Sequence, residues 1–133
     1  MLADDHAGTR TLLRAVLTPD FNVVADVTDG VALVRLAGEL VPDVVVTDIA
    51  MPGLDGIEAV CLIHERQPGI RIVLVSVHSD PTLVERGFAA GASGYVLKQM
   101  AGDDLVPAVH AVLDGQRFVS RMIGDAPWVD DQE

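Results

Sequence analysis

Five polar residues stand where apolar runs end: Asp4 and Asp5 after "MLA", Asp48 after "VVVT", Ser76 after "IRIVLV", and Lys98 after "SGYVL". Three carboxylates, a hydroxyl and an amine can together hold a cation and a phosphoryl group. Clustered carboxylates repel one another, and a divalent cation relieves that repulsion. Without a His or Cys cluster the donors are oxygens, which select a hard ion such as Mg2+, bound by one or two carboxylates plus phosphate. Lys98 is the only lysine in the chain, every other base being arginine. Its compact point charge suits phosphoryl oxygens, which Ser76 would also hold. Phosphoryl transfer needs positioning and charge neutralisation. Asp48 is the candidate nucleophile, because its strand lies between the acid pair and the lysine.

Such residues converge only if the elements carrying them do. Apolar runs of strand length alternate with segments of helical period. After the short "MLA", the stretch "TRTLLRAVL" puts Leu12, Leu13, Val16 and Leu17 on one helical face. "FNVVADV" reads as a strand, and "DGVALVRLAGEL" repeats apolar residues at Leu33, Leu36, Ala37 and Leu40. "VVVTD" is the third strand. Asp55 caps a helix whose inward stripe holds Ile57, Val60 and Cys61. "IRIVLVS" is the fourth strand, and Asp80-Pro81 opens the next helix. "SGYVLK" is the fifth strand, and a last helix spans about Asp103 to Asp114, with Pro107 expected in its first turn.

Five strands alternating with five helices predict an α/β fold: a doubly wound, five-stranded parallel sheet with helices on both faces. Strands without polar alternation are those of sheets covered on both faces. In such sheets the ligand crevice lies at the carboxyl ends of the strands, where the winding direction switches. An acid at the end of an apolar strand is therefore aimed at the crevice.

The bulk composition narrows the function. The 133 residues fit one domain. A net charge of −11 disfavours direct nucleic-acid binding and favours a protein or cation as partner. One cysteine cannot form an internal disulfide and suits a reducing compartment. No apolar run reaches membrane-spanning length and no secretory signal pattern opens the chain, so the cytoplasm is the expected location.

From "LADDH" to "RFVS" the chain resembles the receiver domain of two-component response regulators. The motifs are the acid pair, "D-x-x-M-P-x-x-D-G", the serine after the fourth strand, and "GYVLK". They occur in the family order, at spacings of 43, 28 and 22 residues from Asp5 to Asp48, Ser76 and Lys98 in turn. The wording "ADDH", "SVH" and "GYVLK" is similar to the subfamily that usually precedes a LuxR-type helix-turn-helix domain. The resemblance implies a flavodoxin-like strand order 2-1-3-4-5 and a phosphoryl group taken by Asp48 from a sensor histidine kinase. It implies Mg2+ held by Asp5, Asp48 and the backbone carbonyl of Ala50, with Asp4 acting through water. It further implies phosphoryl contacts from Ser76 and Lys98, and an aromatic switch at Tyr95. The face of helix 4, strand 5 and helix 5 would change on activation. A homodimer is also expected, since receivers of this kind often pair. The implied organisation is a receiver over 1–115 and a tail or linker over 116–133 with no output domain. One departure is the first strand: the family usually has several apolar residues before the acid pair, and only Met1, Leu2 and Ala3 stand here. That implies either a mis-set start or a less stable domain.

Taken singly, several of these residues have plainer readings. Asp48 alone could cap a turn, and Asp4 and Asp5 could cap the first helix. A tyrosine on a strand is commonly core, as is Cys61 on an apolar stripe. His6 and His78, which flank the site, read as incidental. At the level of function, the alternative is a phosphorylation-independent interaction and dimerisation module. A phosphohydrolase is weaker still, because position 50 is alanine and not the second acid such enzymes use.

Overall fold

The computed structural model of the protein describes residues 1–121. Along the chain it contains β1 (Leu2–Ala3), α1 (Ala7–Leu17), β2 (Asp26–Val27), α2 (Gly30–Leu40), β3 (Val44–Asp48) and α3 (Gly56–Arg66). There follow β4 (Arg71–Ser76), α4 (Pro81–Ala90), β5 (Gly94–Leu97), a 3-10 turn at Lys98–Met100, α5 (Ala101–Leu113) and β6 (Phe118–Val119). The sheet order is β2-β1-β3-β4-β5-β6 and every pairing is parallel. The expected order 2-1-3-4-5 is thus observed, with a sixth strand added at its end. That strand lies past Gly115, inside the stretch expected to be a tail. The rest of that expected tail, 122–133, lies outside the described residues.

Alternate side chains of each strand feed two cores, as a pleated strand requires. Val45, Ile72, Leu74, Tyr95 and Leu97 pack with Leu33, Val60, Ile63 and Val84, from α2, α3 and α4. Val46, Val73, Val75 and Val96 pack with Leu13, Leu17, Leu105 and Val109, from α1 and α5. Each face of β3 and β4 is therefore dry, which explains their unbroken valine-rich runs. Helix entry is set by local caps. Asp29 and Asp80 accept from backbone N–H groups, and Asp55 and Glu58 form a reciprocal capping box at α3. Among the described residues no helix is long and apolar enough to cross a membrane.

Four sequence expectations change. The strand expected over "FNVVADV" shrinks to Asp26–Val27, because β1 offers only Leu2 and Ala3 as ladder partners. Leu12, expected to face inward, is 56% exposed; the packed stripe of α1 runs through Leu13 and Leu17. Cys61 is exposed, since the buried stripe of α3 passes through Ala59, Val60 and Ile63 and leaves it off the edge. The last helix begins at Ala101, so Pro107 sits in its second turn and not its first. Both Pro107 and Asp103 are exposed, which leaves the Asp103 carbonyl, robbed of its i+4 donor, open to water.

The short first strand leaves a mark at the end of the sheet opposite Asp48. A groove of about 370 Å³ opens there, lined by Met1, Phe21, Val23, Val24, Val41 and Val44 among others. The α-amino group of Met1 donates to the Val44 carbonyl at 2.9 Å, taking the place of a ladder amide. Burial lowers its pKa, and the nearby charge of Asp43 offsets only part of that effect.

Candidate functional site

The switch in winding direction falls between β1 and β3, and the polar cluster lies at their carboxyl ends. Asp4, fully buried, follows β1 and is tied down by its own backbone: its N–H donates to the Val27 carbonyl at 3.1 Å. Its carbonyl accepts from Arg10 at 2.9 Å, and its Oδ1 accepts the His6 N–H at 2.9 Å. Asp5 is the more exposed of the pair. Asp48 closes β3 at 4% exposure, with Oδ1 accepting the Ala50 N–H at 3.3 Å. Gly56 presses on the backbone beneath it: a Cβ there would collide with the Asp48 carbonyl oxygen and stand 2.7 Å from the Ile49 Cα. The Gly56 N–H donates to the Ile49 carbonyl at 2.7 Å, which fixes the loop that turns through Pro52-Gly53.

Lys98 begins the turn after β5, with its side chain only 17% exposed. Its Nζ donates to Asp48 Oδ2 at 3.0 Å and stands 3.0 Å from Asp4 Oδ2. The second contact is an ion pair by distance, yet Asp4 Oδ2 is buried and receives no aligned hydrogen bond. Burial alone would lower the Lys98 pKa, but the hydrogen bond to Asp48 and the charges of Asp48 and Asp4 outweigh it, and the net shift is upward.

Ser76 and Tyr95 meet one strand further along. Ladder register pairs Asp48 with Val75 and Ser76 with Leu97, so Ser76 and Lys98 emerge side by side beyond Asp48. Ser76 Oγ accepts the His78 N–H at 3.0 Å, and the Tyr95 hydroxyl donates to the His78 carbonyl at 2.8 Å. Tyr95 is fully buried. Burial is the main cause of its raised pKa, the Ser76 hydroxyl opposing and Asp80 and Asp48 adding to it.

All the predicted side chains thus gather at one sheet edge, and Ala50 lies on the loop directly after Asp48. A metal fits this donor set. One donor atom from each of Asp4, Asp5, His6 and Asp48 lies within 4.8 Å of all the others, and Asp4 keeps a buried carboxylate oxygen with no hydrogen bond. Hard oxygen donors of this kind suit Mg2+.

One residue at the site and one that braces the strand leading to it escaped the sequence. His6, read as incidental, has Nδ1 3.0 Å from Asp5 Oδ1 and 3.5 Å from Asp4 Oδ1. Ser120, in the expected tail, is buried; its Oγ accepts the Leu97 N–H at 3.1 Å and donates to Asp104 Oδ2 at 2.8 Å. The short apolar pair Phe118-Val119 was the one signal for it.

A family model described as the response regulator receiver domain matches residues 1–110. The chain belongs to that family. The receiver is 37% identical to the transcriptional regulatory protein DegU of Brevibacillus brevis over 121 residues, 90% of this chain and 51% of DegU. It therefore spans about half the length of that curated relative. It is similar to the crystal structure of a LuxR-family two-component response regulator from Aurantimonas sp. SI85-9A1, with TM-score 0.88 and 38% identity over 92% of this chain and 89% of that one. It is also similar to the isolated receiver of RcsB from Salmonella enterica serovar Typhimurium, solved with the phosphomimetic BeF3−. That match has TM-score 0.83 and 30% identity, and covers 92% of each chain.

Proposed function

We propose that this receiver accepts a phosphoryl group on Asp48 from a sensor histidine kinase, and that the modification switches its interaction surface. The observation that supports the reading most is the placement of Lys98, whose ammonium reaches both Asp48 and Asp4 across three strand ends. In the reaction an Asp48 carboxylate oxygen forms a bond to phosphorus as the P–N bond of the kinase phosphohistidine breaks. The imidazole keeps the bonding pair. Lys98 and Ser76 hold phosphoryl oxygens, and the burial of Asp48, only 4% exposed, limits access of bulk water. Asp5, Asp48 and the Ala50 carbonyl would hold Mg2+, with Asp4 acting through water, and the ion would supply charge neutralisation there.

The acyl phosphate adds about −1.5 to −2 charge and new acceptor oxygens. Ser76 and Tyr95 are already tied to one residue, Ser76 accepting from the His78 N–H while Tyr95 donates to the His78 carbonyl. A pull on Ser76 is therefore felt by Tyr95, and the α4-β5-α5 face shifts between two packings. We further infer a cytoplasmic protein, pairing as a homodimer, with the switching unit carried by the described body and transcription regulated through a partner or output segment.

Incubation with a small-molecule phosphodonor and Mg2+, read by intact mass, tests the reading. One added phosphoryl group is expected, lost in Asp48→Asn and on omission of Mg2+. No adduct under any condition would leave the interaction-module alternative.

A further inference from the structure

We infer that His6 is a nitrogen ligand of this site and gives it a preference for first-row transition-metal divalent ions, Mn2+ among them, over Mg2+. The inference rests on the metal reading above and extends it to ion selectivity. An octahedral ion with bonds of about 2.1 Å separates neighbouring ligand atoms by about 3.0 Å and opposite ones by about 4.2 Å. His6 Nδ1 stands 3.0 Å from Asp5 Oδ1, which matches a neighbouring pair. Its 3.5 Å to Asp4 Oδ1 falls between the two separations. One donor atom each from Asp4, Asp5, His6 and Asp48 lies within 4.8 Å of the others, so Asp5, Asp48 and His6 can share one ion while Asp4 acts through water. His6 caps α1 through extended backbone, and its N–H is fastened to Asp4 Oδ1 at 2.9 Å. Its side chain is 70% exposed, so it turns toward an ion without unpacking anything. A carboxylate-only site ranks these ions weakly. One imidazole raises affinity along the first-row series while adding little for Mg2+, which prefers oxygen and keeps its waters.

The test uses the untagged 133-residue chain and Mn2+ as probe. Pulsed electron paramagnetic resonance of the Mn2+-loaded protein is expected to show coupling to a directly bound imidazole nitrogen. That coupling should vanish in His6→Gln and persist in His78→Gln. The ratio of Mn2+ to Mg2+ affinity, from competition titration, should fall about tenfold in His6→Gln. Bound Mn2+ without nitrogen coupling, or an unchanged ratio in His6→Gln, would overturn the inference and leave His6 as a partner of Asp5 only. Mn2+ affinity that is unchanged in Asp5→Asn and Asp48→Asn would overturn the metal reading itself.

Discussion

The Lys98 ammonium stands 3.0 Å from a carboxylate oxygen of Asp48 and 3.0 Å from one of Asp4, joining the ends of β5, β3 and β1. Both acids are buried, so this one cation carries their compensation. Lys98→Ala should lower stability by about 2 kcal/mol in metal-free buffer, below the range for breaking a fully buried pair because Lys98 keeps some exposure. Added Mg2+ should return part of the loss. Urea denaturation with and without Mg2+ measures both, and equal midpoints for variant and parent would refute the assignment.

The Met1 ammonium gives stability a pH dependence. Burial holds its pKa below the ordinary 8.0, so between the two values the unfolded chain binds more protons. Stability then rises with pH through that window and levels off above 8.0. N-terminal acetylation should flatten the rise. Four apolar residues placed before Met1 should do the same while adding about 1 kcal/mol or more by filling the groove beside Phe21 and Val24. Thermal melts across pH 6 to 9 would show it; parallel curves for free and acetylated chains would count against it.

Two glycines should respond oppositely to alanine. Gly56→Ala drives a methyl into the Asp48 backbone and should cost about 3 kcal/mol or more. Gly8, in α1, has nothing within 4 Å of its would-be Cβ, so Gly8→Ala should add about 0.5 kcal/mol through helix propensity. Chemical denaturation of the two variants side by side is sufficient; a tolerated Gly56→Ala would mean the loop below Asp48 can move.

Ser120 holds the end of β5 from the far side of the sheet. Ser120→Ala leaves the buried Leu97 N–H without its acceptor and should cost about 1–3 kcal/mol. A chain ending at Gly115 loses the whole strand and should be less stable than one ending at Arg121. If both lengths melt together, β6 contributes nothing to the body of the receiver.

The layered architecture was legible because β3 and β4 are dry on both faces, and that writes unbroken runs such as "VVVTD" into the chain. Asp48, Ser76 and Lys98 were legible for a related reason: a polar residue ending an apolar run has few places to go except the strand-end crevice. Cys61 and Leu12 were misread because period alone defines a stripe's spacing and not its edge, which depends on where neighbouring helices sit. The extent of β2 depended on how much ladder β1 offers, a property of a distant segment. His6 and Ser120 were missed because their partners, Asp5 Oδ1 and the Leu97 amide, are set by backbone direction and by a strand pairing 23 residues away.

The outward position of Cys61 has a practical consequence for anyone handling the protein. A lone surface thiol couples two molecules in air, so a purified stock kept without reductant would counterfeit the homodimer on a sizing column. The same sulfur, capped with a maleimide dye, becomes a single-point optical reporter that leaves the carboxylate pocket chemically untouched.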